Sequence, residues 1–239
     1  MLPKNLRLAD EDIYLQEDRF QEPKEIYKLI AERIKRLPGT GRPLDIIDVG
    51  CATGELLYHL NQVLETNHKY FGVDVSSAML KLARTMVPAA EFSELDLSAD
   101  TAKFGRLYDV VICCGVLGIF DDLTVPLRNL LKLCKPSSTV MIIADINVAN
   151  VDLITRYRQG GGTATWQSGW NIFSRQTIEA LVRAESSNCR VSFHAFVMPF
   201  DLPARPDPMR TWTVDMNGER TRINGAGLIL PQNLIEIFT

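Results

Sequence analysis

Gly50 and Gly54 bracket a turn that follows the apolar run Leu44–Val49 (LDIIDV), and Asp74 closes the next apolar run, Tyr70–Val75 (YFGVDV). Glycines after a strand let the backbone approach a ligand closely, and N–H groups opening the following helix face an anionic group. A carboxylate at the end of the second strand accepts hydrogen bonds from both hydroxyls of a ribose and repels a 2′-phosphate. The constellation describes a site for a nucleoside-containing ligand with an unphosphorylated ribose. Two common signatures fail here. The dinucleotide pattern G-x-G-x-x-G needs glycine where this chain has Ala52 and Glu55. The Walker pattern needs Lys-Ser or Lys-Thr after Gly54, and neither follows.

The elements that must hold these residues alternate. Residues 23–37 have helical spacing through Ile26, Ile30, Ile34 and Leu37, with Pro23 suited to the first turn. Helices are also expected at Glu55–Leu64, from the N-cap Ser76 through Met86, at Leu123–Cys134 and at Ser174–Ala184. Strands are expected at Leu44–Val49, Tyr70–Val75, Glu91–Leu97, Tyr108–Cys114, Thr139–Ala144, Val191–Val197 and Leu234–Phe238, with a turn at Lys135–Ser138. Asn217-Gly218 between Thr211–Met216 and Glu219–Asn224 predicts a hairpin on a type I′ turn. Apolar strands alternating with helices predict a parallel sheet covered on both faces, open and doubly wound. Ligands of such sheets sit beyond the carboxyl ends of the strands, where the glycine turn lies.

Composition bounds the function. The 239 residues carry a formal net charge of −3, so there is no basic footprint for nucleic acid. The five cysteines form no CxxC pair and the three histidines are scattered, which predicts free thiols in a reducing compartment and no metal site. Met1–Tyr14 lacks the apolar core, about 7–15 residues long, of a secretory signal. No run reaches the roughly 18 apolar residues of a membrane span. A cytoplasmic protein with no membrane partner is expected. All nine lysines lie at or before Lys135, and the strong cations from Arg156 to Arg222 are nine arginines. Arginine suits bidentate contacts to carboxylate or phosphate, or surface ion pairing with the interleaved acids.

The string DVGCATGELL (48–57) resembles the first motif of the class I S-adenosylmethionine-dependent methyltransferases. YFGVDVSSAML (70–80), ELDLSAD (94–100), YDVVICCGVLGIFDD (108–122) and LLKLCKPSSTVMII (130–143) resemble their later motifs in order and spacing. The resemblance covers roughly 42–145 and implies one Rossmann-like α/β domain. Its doubly wound sheet is seven-stranded, mostly parallel with an antiparallel C-terminal strand, and has helices on both faces. Cap helices are expected at 1–40, the cofactor-binding core at 42–145, and substrate or lid insertions at 146–171 and 199–226. The implied cofactor is S-adenosylmethionine, with S-adenosylhomocysteine as product. Gly50, Cys51 and Gly54 would wrap its methionine part, Asp74 would hold the ribose, and Val75 would pack near the adenine. Asp96 would accept from the adenine amino group with the Leu97 backbone beside it, and Cys114 would line the cofactor. Arg19 would pair with the cofactor carboxylate, or with local acids. Ala52 departs from a frequent glycine, and Ser137-Ser138 from a usual Gly-Gly turn.

The acceptor is expected to be a small molecule, methylated on oxygen or nitrogen: a sugar, a nucleotide-linked sugar or a secondary metabolite. Asp145, at the end of the fifth strand, is the candidate general base, and His194, in an apolar strand, is second to it and also suits a structural role. Trp166 and Trp170 either line the acceptor pocket or belong to the core. Arg156, Arg158, Arg205 and Arg210 suit an anionic acceptor, and the triple glycine 160–162 suits a lid hinge. The chain is a monomer or homodimer on this reading. Three alternatives remain open: a non-catalytic S-adenosylmethionine-binding regulatory module, an NAD-dependent oxidoreductase, against which the glycine pattern weighs, and a protein-modifying methyltransferase that docks a peptide on 199–226.

Overall fold

A computed structural model describes residues 20–38, 41–65, 67–99, 105–158, 160 and 166–239. Along the chain run α1 (Glu25–Lys35), β1 (Asp45–Val49), α2 (Glu55–Val63), β2 (Lys69–Asp74), α3 (Ser77–Met86), β3 (Ala90–Glu94) and β4 (Tyr108–Cys114). There follow α4 (Thr124–Lys132), β5 (Cys134–Asn147), β6 (Arg156–Tyr157), β7 (Gln167–Ser168), β8 (Phe173–Ser174) and α5 (Arg175–Glu185). Then come β9 (Arg190–Ala195), β10 (Trp212–Met216), β11 (Glu219–Ile223) and β12 (Gln232–Phe238).

The main sheet has the order β3-β2-β1-β4-β5-β12-β9, and β8 adds a short parallel pairing to the far end of β5. Pairings from β3 to β5 are parallel, and β12 is antiparallel to both of its neighbours. The winding reverses between β1 and β4, so their carboxyl ends open the crevice in which such sheets bind ligands. Apolar positions on one sheet face bury α4 and α5 through Leu127, Leu130, Ile178 and Val182. The other face buries α1 and α2 through Ile26, Ile30, Ile34, Leu57 and Leu60. That two-sided burial is why the central strands read as continuous apolar runs.

Ser76 and Ser174 cap α3 and α5 as their sequence positions predict, accepting from Met79 N and Thr177 N at 3.2 Å each. The β10–β11 hairpin forms on Asn217 and Gly218, both at positive φ as a type I′ turn requires. Two expectations are corrected. Pro23 precedes α1 instead of opening it, since Lys24 is the N-cap. The turn at Lys135–Ser138 is absorbed into β5: the register jumps from Tyr108↔Cys134 to Val110↔Thr139, and Ser137 turns left-handed at φ 62° within this bulge.

Candidate active site

A cavity of about 360 Å³ opens at the carboxyl ends of β1, β2, β4 and β5. The glycine turn forms its floor. Gly50 N and Cys51 N both donate to Val73 O, at 2.7 and 3.0 Å, which folds the turn back over β2. Gly50 has φ 79°, and a Cβ there would meet Val116 Cγ2 at 2.3 Å, so only glycine fits. Ala52 is also left-handed, at φ 48°, an unusual conformation for a residue with a Cβ.

Asp74 stands at the end of β2 and lines the cavity. Ala52 N donates to its Oδ2 and Ser76 N to its Oδ1, each at 2.9 Å. These two bonds lock the carboxylate in place, and each oxygen keeps a lone pair for a ligand hydroxyl. Val75, Met79, Leu95 and Leu97 make an apolar slot beside it. Asp96 closes the slot. Its Oδ1 accepts from Ser98 N and Ser98 Oγ at 2.8 and 2.7 Å. A ribose on Asp74 and a flat base in the slot fit this set of acceptors.

At the other end of the cavity Asp145 terminates the inner part of β5. Arg222 Nη1, on β11, donates to its Oδ1 at 3.3 Å, with side chains 11% and 14% exposed. Burial pushes the Asp145 carboxyl above the usual carboxylate range, and Arg222 opposes this without reversing it. Arg210, Asn171 and Trp170, at φ 59°, complete this end. Asn171 is buried and holds the wall together. Its Nδ2 donates to Phe120 O at 2.7 Å and its Oδ1 accepts from Thr155 N at 2.7 Å.

The cavity thus gathers Gly50, Asp74, Val75, Asp96, Leu97, Cys114, Asp145 and Trp170 from the expected residues. Cys51 and Gly54 do not line it: the Cys51 thiol is buried against Gly72, and Gly54 caps α2. His194 is a correction. It pairs across from Leu234 on the face that packs α1, and its Nε2 lies 2.8 Å from Glu236 Oε2, with Arg33 Nη1 3.7 Å from the same oxygen. Trp166 is a second correction: it is exposed, outside the cavity, with the Arg158 guanidinium stacked on it at 4.8 Å. Arg156 is committed to an ion pair with Asp121. Arg19 and Gly161–Gly162 lie outside the described residues.

Three functional candidates escaped the sequence. Lys24 is a cation on the cavity wall. Arg222 reaches Asp145 across 77 positions, and no local pattern announces such a contact. Asp48 is 2% exposed beneath the glycine turn with Oδ1 unpartnered, and burial together with Asp74 and Glu55 pushes its pKa up to about 8. Its signal was an acid inside an otherwise apolar strand.

A family model described as a methyltransferase domain matches residues 16–186, well over half of the chain. Highly reducing polyketide synthase sorA of Penicillium rubens is 30% identical over 128 residues, covering 48% of this chain and 5% of the synthase. The chain therefore spans only a small fraction of that relative. SAM-bound CalS10, an amino pentose methyltransferase of Micromonospora echinaspora, shares the fold with a TM-score of 0.57 at 14% identity, covering 95% of this chain and 97% of that one. The CurJ carbon methyltransferase has a TM-score of 0.55 at 13% identity, covering 89% and 52%. The match over 16–186 and the crevice built on Gly50 and Asp74 agree: the chain belongs to the methyltransferase-domain family, as a class I enzyme fold whose cofactor is S-adenosylmethionine.

Proposed function

We propose that the chain methylates a small-molecule acceptor that gives up a proton on reaction, an O–H or an acidic C–H, bound between Asp145 and the segment 199–226. One observation carries this reading. Asp145 is a buried carboxylate in the acceptor end of the cavity, with its pKa raised by burial and one oxygen held by Arg222 at 3.3 Å. A carboxylate raised toward neutrality is a better proton acceptor than an ordinary one. An amine acceptor needs only its lone pair and gains little from such a base.

When bound, S-adenosylmethionine supplies a methyl carbon on a cationic sulfur, and attack there breaks the carbon–sulfur bond and leaves a neutral thioether. The chain contributes alignment and proton handling. Asp74 would hold the ribose, Val75 and Leu97 would flank the adenine, and Asp96 would accept from its amino group. The backbone of Gly50 and Ala52 would run beside the methionine part, with Cys114 packed against it. Arg222 fixes Oδ1 of Asp145, and Oδ2 takes the acceptor proton as the new bond forms. Val116, Ile119 and Phe120 give the cavity apolar walls that exclude water. The carbon methylation named for CurJ supports including carbon acids among the acceptors. The net charge of −3 favours a small acceptor over nucleic acid.

The test is S-adenosylhomocysteine formation with phenols, sugar nucleotides and β-keto thioesters, on wild type and Asp145→Asn. At least one class should stimulate turnover in wild type and lose it in the variant. Cofactor binding without stimulation by any class, or a variant as fast as wild type, would overturn the reading.

A further inference from the structure

Arg210 stands in the same cavity end without a partner for part of its guanidinium. Its Nη2 is buried and takes no hydrogen bond among the described residues. The nearest acid is Asp207, whose Oδ2 lies 3.7 Å from Nε, beyond hydrogen-bond reach. The side chain is 19% exposed, so water does not fully replace the missing acceptor.

The arginine is also held in place. Met209 N donates to Asp207 Oδ1 at 2.9 Å and Arg210 N to Asp207 O at 3.1 Å, which makes a tight turn. Gly225 N donates to Pro208 O at 2.6 Å and pins that turn to the strand end carrying Arg222. Met209 is buried beneath it. A fixed, desolvated, half-satisfied guanidinium is costly to keep unless a ligand oxyanion completes it. Another cation, Lys24, lies on the glycine-turn side of the cavity, close enough to lower the pKa of Asp48.

We propose that Arg210 is the anion anchor of the acceptor site, so that the acceptor carries a carboxylate or phosphate besides the group that is methylated. The guanidinium fork matches either oxyanion.

The inference rests on reading the Asp145 end as the acceptor side. The test therefore uses protein already saturated with S-adenosylhomocysteine, and a failure of the cofactor reading shows as absent saturation before any anion is added. Benzoate, phenyl phosphate and the neutral benzamide are then titrated by calorimetry. One of the two anions should bind at least about tenfold more tightly than benzamide, and which one separates carboxylate from phosphate. Arg210→Gln should abolish that preference, and Arg210→Lys should recover part of it. S-adenosylhomocysteine affinity should stay within about twofold in both. Arg210→Gln should also melt no lower than wild type without ligand, because it removes a guanidinium whose buried Nη2 has no acceptor and whose ion pair with Asp207 is loose at 3.7 Å, whereas a structural arginine would lower the melting temperature. The proposal is overturned by equal binding of benzamide, by an unchanged preference in Arg210→Gln, by weakened S-adenosylhomocysteine binding in that variant, or by no saturable anion binding up to about 50 mM.

Discussion

Arg222 and Asp145 join two parts of the chain that the sheet alone does not connect. The guanidinium on β11 donates to the carboxylate at the carboxyl end of β5, and both are largely buried. The bond ties segment 199–226 to the site and aims the remaining carboxylate oxygen. Asp145→Asn keeps the shape and removes the base, so kcat should fall by about 10²–10⁴ with little change in S-adenosylhomocysteine affinity. In wild type, kcat should fall as pH drops through the raised Asp145 pKa, because only the ionised form accepts a proton. That acid limb should vanish in the variant, and a pH–rate profile that keeps it would assign the limb to another group.

Asp74 is held by Ala52 N and Ser76 N, so it organises the turn as well as facing the ligand. Asp74→Asn retains one acceptor oxygen and loses the charge. Charged hydrogen bonds contribute about 1.5–3 kcal/mol each, which predicts S-adenosylhomocysteine binding roughly 10–100-fold weaker by calorimetry. Binding within about twofold of wild type would remove Asp74 from the ribose site.

Gly50→Ala meets two penalties, a positive φ and Val116 Cγ2 at 2.3 Å. Together they should cost about 1–3 kcal/mol in denaturant unfolding. Adding Val116→Ala should recover the steric part and leave the conformational part. Full recovery in the double variant would show that the left-handed backbone costs nothing here.

Asn171 buries an amide that ties two segments together, bonding Phe120 O and Asp121 Oδ1 on one and Thr155 N on the other. Asn171→Ala orphans a buried carbonyl and an N–H, a loss of about 1–3 kcal/mol for each group left unsatisfied. Hydrogen exchange should localise the damage to the amides of Thr155 and Trp170, which the Thr155 Oγ1 bond to Trp170 O ties together. Uniform loss of protection across the sheet would mean that this wall unfolds only with the whole domain.

What was legible in the sequence was local. Gly50, Asp74 and Asp145 were readable because strand ends can be counted along the chain, and a doubly wound sheet binds at those ends. The face of an edge strand is not local. His194 points to α1 because β12 pairs it with Leu234, and a register shifted by one residue would have turned it the other way. Trp166 lies outside the cavity while Trp170, four residues on, lines it, and the β6–β7 hairpin between α4 and α5 decides which. Lys135–Ser138 has turn residues yet belongs to β5, since Tyr108 supplies a partner that no propensity encodes. The Arg222–Asp145 contact depends on how a hairpin docks, which lies beyond any spacing rule.

Asp48 offers a test of burial itself. It lies under the glycine turn beside Asp74 and Glu55, and its pKa is raised to about 8. An unfolded aspartate titrates near about 4. Between these values the folded chain holds a proton that the unfolded chain has released, so stability should fall as pH rises through this window and level off above it. Below about pH 4 both states are protonated and the penalty is absent. Asp48→Asn is neutral throughout, so its melting temperature relative to wild type should climb steadily from pH 5 to pH 8. A constant difference over that range would mean that Asp48 ionises normally in the fold, and that its unpartnered Oδ1 is satisfied by solvent beneath the turn.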